Sequence, residues 1–369
     1  MSGARCVSAK SLTSRSSRRL LRSQTHAVRV LAATFAIPGA SISLRSARML
    51  TGDEIVRVGV AATVLRPDGM PPPWPALVFM NGATRDGRAH PLVLRLGQAL
   101  ARIGRLVVIP DLPGIADGEL SPATLATSVA FVEATADTSE AAAGRVALVG
   151  VSIGGSLALL TAADPRLAQR VSTVACVAPY SDLVNVMLLA TTATYRDGPH
   201  FRPYPVPNFL RLGLARSLAA ILPRTPASEA LCDDLRRLDP PLSGIGELPQ
   251  ARFREAGQDG MRLFELLANT DPERFDDLYA ALPSFIRRAA DRLSPLHVAN
   301  RLPRSVEIAT APHDSYFPVA ESRALAEAAP QVRVTVTSLL AHATPRLDPR
   351  YLSELAKLNG FFVRSLAAS

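Results

Sequence analysis

From Asp53 onward, short runs rich in Val, Ile and Leu alternate with stretches whose apolar residues recur at helical spacing. That alternation predicts a mostly parallel central sheet flanked by helices on both faces, the α/β class. Ile55–Leu65 reads as a first strand or hairpin arm, and the turn-rich RPDGMPPPWP leads into the apolar run Ala76–Met80. A helical period follows over His90–Ile103, then a short buried strand over Leu106–Ile109 that stops at Pro110 and Asp111. Ser121–Thr138 predicts a helix with Ser121 as its N-cap and Pro122 in its first position. Arg145–Asp164 reads as a strand, a glycine-rich turn and an apolar helix, and Val171–Val177 as a further strand.

The period then changes. Residues 183–300 are charged, proline-punctuated and helical in pattern, with no convincing strand, which predicts a helical cap inserted into the core. The sheet resumes at Ser305–Ala309, followed by a helix over Pro318–Ala329, a last strand over Val332–Thr337 and a closing helix from about Asp348 to Ser365. Residues 53–182 and 301–369 are thus expected to form one core, and no internal repeat interrupts it.

Charge separates the first 52 residues from the rest. Arg5, Lys10, Arg15, Arg18, Arg19, Arg22, Arg29, Arg45 and Arg48 precede the first acid, Asp53, and account for the whole net charge of +9. The body is balanced, so nothing there predicts a phosphate-tracking surface, and nucleic acid is not an expected partner. Three readings of residues 1–52 stand side by side: a targeting segment with Ala40 as its best cleavage position, a disordered extension or mis-assigned start ahead of Met49, and a basic anchor. In each, the fold begins after the leader, and removing residues 1–48 is expected to leave it intact. The expected location is the cytoplasm, with export or targeting as the alternative. No run reaches the roughly 20 apolar residues of a spanning helix, so no stable membrane span is expected.

Cys6, Cys176 and Cys232 are too few and scattered for a disulfide framework, and the six histidines lack metal-ligand spacing. The chemistry concentrates instead at Gly150-Val151-Ser152-Ile153-Gly154, which fits G-x-S-x-G between a predicted strand and a predicted helix. A serine on such a turn needs glycine neighbours where any Cβ would clash, a base to take its proton, and an acid to orient that base. His342 and Asp314 each follow a late strand, where an open sheet gathers its functional loops. Asp182, after the strand Val171–Val177, is the alternative acid. His313 adjoins Asp314 too closely in sequence to serve as base and is expected on a surface loop, and His90 precedes the serine. Two backbone N–H donors for an oxyanion are expected from Ile153 and from Ala83 in the loop Asn81-Gly82-Ala83.

Over about Ile55–Val363 the chain resembles the α/β-hydrolase superfamily, most closely its capped bacterial esterase and dienelactone-hydrolase-like branches. The resemblance rests on VFMNGA, VIPDLPG, GVSIGG, Asp314-x-x-Phe317-Pro318 and Ala341-His342-Ala343. One departure is Asn81-Gly82, where most relatives carry His-Gly. The resemblance implies acyl transfer to water through an acyl-enzyme, a small-molecule ester as substrate, and neither metal nor cofactor. A thioesterase, an acyltransferase, a serine peptidase and a non-catalytic ligand-binding protein on the same fold remain alternatives. Tyr195, Phe201, Tyr204, Phe209, Tyr316 and Phe317 are candidate pocket liners.

Overall fold

The computed structural model describes residues 22–33, 53–238, 248–342, 344–345 and 352–369. Residues 22–33 form a helix, α1. The chain then makes β1 (Asp53–Arg57), β2 (Val60–Leu65), β3 (Trp74–Met80), α2 (Pro91–Arg102), β4 (Leu106–Pro110), α3 (Pro122–Ala136), β5 (Ala141–Val151), α4 (Ile153–Ala162) and β6 (Val171–Val177). An insertion follows: α5 (Leu183–Thr192), a hairpin of β7 (Thr194–Asp197) and β8 (His200–Pro203), then α6 (Asn208–Ala219), α7 (Pro226–Arg237), α8 (Gln250–Glu255), α9 (Gly257–Ala268), α10 (Phe275–Ala281) and α11 (Ser284–Arg292). The core closes with β9 (Val306–Thr310), α12 (Val319–Ala328), β10 (Val332–Val336), the short pair β11 (Leu340–Ala341) and β12 (Thr344–Pro345), and α13 (Leu352–Ala368).

Eight strands form one sheet in the order β1-β2-β4-β3-β5-β6-β9-β10. The first two neighbour pairs are antiparallel, and every pair from β4 onward is parallel. This is the expected α/β-hydrolase architecture, with the predicted first strand resolved into a hairpin at Val58-Gly59. Its parallel half sends the chain ends after β3, β5, β6, β9 and β10 to one edge, which is where loops can meet.

Side-chain alternation builds the two helical layers. Leu77 and Phe79 of β3, with Val107 and Ile109 of β4, face a layer that includes α2 and α13. Ala76, Val78 and Met80 face the opposite layer with Phe131 of α3 and Leu157 of α4. Ser121 caps α3 as predicted, its Oγ accepting the Thr124 N–H at 3.2 Å.

Two expectations change. The basic stretch is not wholly separate from the fold: α1 buries Ala27 and Val30 beside Leu77, Val107 and Leu366, and Leu31 beside Ala309 and Phe361. The Arg22 and Arg29 positions stay exposed, so the helix is amphipathic and supplies part of one layer. The remaining leader residues, including Met49 and Ala40, and the first residues of the expected closing helix lie outside the described residues. Within 183–300, the β7–β8 hairpin departs from the strand-free expectation; it turns through Gly198-Pro199, where Gly198 takes a φ of +59°.

Candidate active site

Ser152 follows β5 and precedes α4, and its backbone holds φ +54° and ψ −129°, a conformation that costs free energy for a non-glycine residue. The Ser152 N–H donates to the Val177 carbonyl at 2.8 Å, pinning the turn to β6. The flanking glycines are sterically required. A Cβ on Gly150 would overlap the backbone of Gly154 and Gly155, and one on Gly154 would overlap the carbonyls of Met80 and Asn81. The turn is therefore wedged between its own helix and the end of β3.

Asp314 stands in the loop after β9, and its side chain is fully buried. Its Oδ1 and Oδ2 lie 2.8 and 2.9 Å from Nδ1 of His342. Oδ1 also accepts the backbone N–H groups of Tyr316 at 2.8 Å and Phe317 at 3.0 Å, so the carboxylate is aimed by its own loop. The Tyr204 hydroxyl donates to the Asp314 carbonyl, tying the inserted segment to that loop. Burial pushes the Tyr204 and Tyr316 phenols upward, with the Asp314 charge adding to both, so each stays a donor.

His342 occupies the turn between β11 and β12 with φ +52°. The Tyr316 ring packs on its imidazole at 4.4 Å between centroids, and Phe317 meets it edge-on at 6.0 Å. With Nδ1 held by Asp314, a neutral imidazole carries its proton there and leaves Nε2 as an acceptor. Ser152 and His342 line one cavity of about 300 Å³.

The oxyanion candidates line the same cavity: Ala83 in the loop after β3, and Ile153 at the start of α4. Gly82 brings that loop against the Ser152 turn, since a Cβ there would lie 3.3 Å from the Ser152 Cβ and 3.2 Å from the Val151 carbonyl oxygen. A helix N-terminus leaves its first N–H groups without intrahelical partners, so the Ile153 N–H is available to an anion.

Asp182 is committed elsewhere. Its Oδ1 accepts the Val184 N–H at 2.8 Å and the Ser294 hydroxyl at 3.3 Å, which caps α5 and joins the two ends of the insertion. His313 is exposed, as expected. Of the six proposed liners, Phe209, Tyr316 and Phe317 face the cavity. Tyr195 and Tyr204 instead pack against each other at 5.8 Å, and Arg196 lies over the Phe201 ring.

Sequence reasoning missed the principal wall. Leu210, Gly213, Leu214 and Ser217 of α6 line the cavity together with Leu92, Val93 and Leu96 of α2. Three interactions fix α6 there: Leu120 N–H to Ser217 Oγ at 2.9 Å, Arg216 Nη1 to the Asp117 carbonyl at 2.7 Å, and the close approach of Gly213 to Gly118. Their spacing is a helical stripe, a signal that does not separate pocket from core. No Lys, Arg, Asp or Glu lines the cavity among the described residues. Cys176 is buried, its thiol pushed up by burial, and donates to the Gly155 carbonyl at 3.3 Å; it fills space behind α4.

A model of the alpha/beta hydrolase family matches residues 77–353. No curated protein matches the sequence. Among solved structures, Est1E from Butyrivibrio proteoclasticus is 12% identical with a TM-score of 0.49, over 86% of this chain and 99% of its own. A meta-cleavage product hydrolase from Pseudomonas fluorescens IP01 is 18% identical with a TM-score of 0.44, over 85% of this chain and 97% of its own. Dipeptidyl peptidase 4 from Porphyromonas gingivalis is 14% identical with a TM-score of 0.47 over 88% of this chain, which spans only 37% of that longer protein.

Proposed function

This chain belongs to the alpha/beta hydrolase family, and on that premise we propose that it is a serine hydrolase cleaving an uncharged carboxylic ester through an acyl-enzyme. The observation that carries the proposal is the placement of the Asp314 carboxylate on Nδ1 of His342 while His342 and Ser152 share one cavity.

In the proposed reaction Nε2 of His342 takes the Ser152 proton as Oγ attacks the ester carbonyl. Asp314 holds the tautomer that makes this possible and stabilises the imidazolium that forms. The N–H groups of Ile153 and Ala83 receive the developing oxyanion. His342 then passes its proton to the leaving alkoxide, the acyl-enzyme forms, and water repeats the sequence to release the acid. The strained Ser152 backbone holds the hydroxyl clear of its own helix.

Substrate chemistry follows from the walls. Burying an ionised group with no counter-charge is costly, so a cavity without charged lining residues among the described residues favours a neutral, largely apolar substrate. At about 300 Å³ it lies at the small end of ligand cavities. The insertion, through α6, acts as the cap that sets the length accepted.

Labelling by a fluorophosphonate probe tests the proposal. A serine hydrolase is labelled at Ser152 alone and loses labelling in Ser152→Ala; a protein that only binds ligands in this cavity is not labelled.

A further inference from the structure

His90 lines the same cavity, as do Ala83 and Thr84, and has no part in the acyl-transfer steps above. It is the N-cap of α2, and its Nδ1 accepts the Leu92 N–H at 3.3 Å. An imidazole that accepts at Nδ1 carries its proton at Nε2 when neutral. The Nε2 edge is therefore the edge it can offer to the cavity, as a donor only. Among the described residues that Nε2–H has no hydrogen-bond partner.

Two hydroxyls on the walls are already engaged. The Tyr180 hydroxyl donates to the Leu293 carbonyl at 3.0 Å, and Ser217 Oγ donates to the Gly213 carbonyl at 2.7 Å while accepting from Leu120. A donor with a fixed tautomer, held by a helix cap in a mainly apolar cavity, discriminates between an oxygen and a methylene at one point of the substrate.

We propose that His90 is a specificity-determining residue whose Nε2–H recognises a neutral acceptor oxygen of the substrate, separate from the scissile carbonyl. This rests on the ester-hydrolase reading and narrows its substrate class: an uncharged ester bearing a second oxygen of the ether, keto or ester kind is preferred over its all-hydrocarbon isostere.

The test compares kcat/KM for p-nitrophenyl alkanoates with their oxa-analogues, in which one chain methylene after another is replaced by an ether oxygen. It uses the full chain and its His90→Phe and His90→Gln variants. Intrinsic reactivity cancels when the oxa-to-hydrocarbon ratio is compared between proteins. For at least one oxygen position the ratio should fall about three- to tenfold in His90→Phe, the worth of one neutral hydrogen bond, and recover in His90→Gln, which keeps a donor of similar reach. Ratios unchanged at every position in both variants would overturn the inference. A wild-type protein with no Ser152-dependent turnover of any ester would overturn the hydrolase reading as well, so the two failures are distinguishable.

Discussion

Asp314 meets His342 through both carboxylate oxygens, at 2.8 and 2.9 Å from one imidazole nitrogen, although 28 residues separate the two in sequence. The parallel neighbours β9 and β10 deliver them to the same sheet edge. Asp314→Asn should therefore lower ester turnover roughly ten-thousand-fold by favouring the wrong tautomer of His342. Asp182→Asn should leave turnover within about tenfold and stability nearly unchanged, since asparagine caps a helix about as well as aspartate. Kinetics and thermal melts of the two purified variants check this. A greater loss at Asp182 would move the acid to the other loop.

The α1 helix has a measurable consequence. Deleting residues 1–48 removes Ala27, Val30 and Leu31 from the layer that covers β3, β4 and β9. At about 1.5–3 kcal/mol for each large apolar side chain, the truncated chain should lose roughly 3–6 kcal/mol. Chemical denaturation measures it, and a truncated chain as stable as the full one would show that α1 contributes nothing.

Glu321 of α12 gives a pH signature. Burial pushes its carboxyl above the usual range, opposed by hydrogen bonds from Ser181 N–H and Oγ at 2.8 Å, Asp182 N–H at 3.0 Å and Asn185 Nδ2 at 3.0 Å. A carboxyl with a higher pKa folded than unfolded adds stability below its unfolded value, about 4.3, and that contribution is lost as pH rises through the folded value. Glu321→Gln keeps an acceptor without the ionisation. Its Tm relative to wild type should climb as pH rises above the unfolded value and through the raised folded one, and a gap independent of pH would contradict the raised pKa.

Phe209 touches Gly118 at the cavity wall, where a Cβ on Gly118 would lie 3.1 Å from the Phe209 ring. Shortening it enlarges the cavity without reaching the reacting atoms. Phe209→Ala should raise the preference for longer acyl chains over acetate by about tenfold or more, from roughly 1–3 kcal/mol per methylene-sized change. A ladder of p-nitrophenyl esters reads this directly; equal loss on every ester would indicate a structural role.

The core and the chemistry-bearing loops were legible because each depends on a local rule. The Ser152 turn needs Gly150 and Gly154, and the structure leaves no room for a Cβ at either. Ser121-Pro122 marks a helix start whatever surrounds it. The α1 helix was obscured because it lies within an acid-free, arginine-bearing stretch of 52 residues, whereas the spacing of Ala27, Val30 and Leu31 alone marks its buried face. The β7–β8 hairpin carried a Gly-Pro turn signal, but its strands are largely exposed and lack the alternation that reveals half-buried strands. The α6 wall had no sequence signature, because Leu210, Leu214 and their neighbours become pocket rather than core only through the docking of Ser217 and Arg216 on the loop after β4.

The central claim is that Ser152 is the nucleophile and His342 its base. The most direct measurement is turnover of a small activated ester by wild type, Ser152→Ala, His342→Ala and the double variant, with folding verified by circular dichroism. Either single change should reduce turnover by about a million-fold, and the double variant should be little worse, because a hydroxyl without its base gains nothing over water. Near-normal turnover in folded Ser152→Ala would contradict the account.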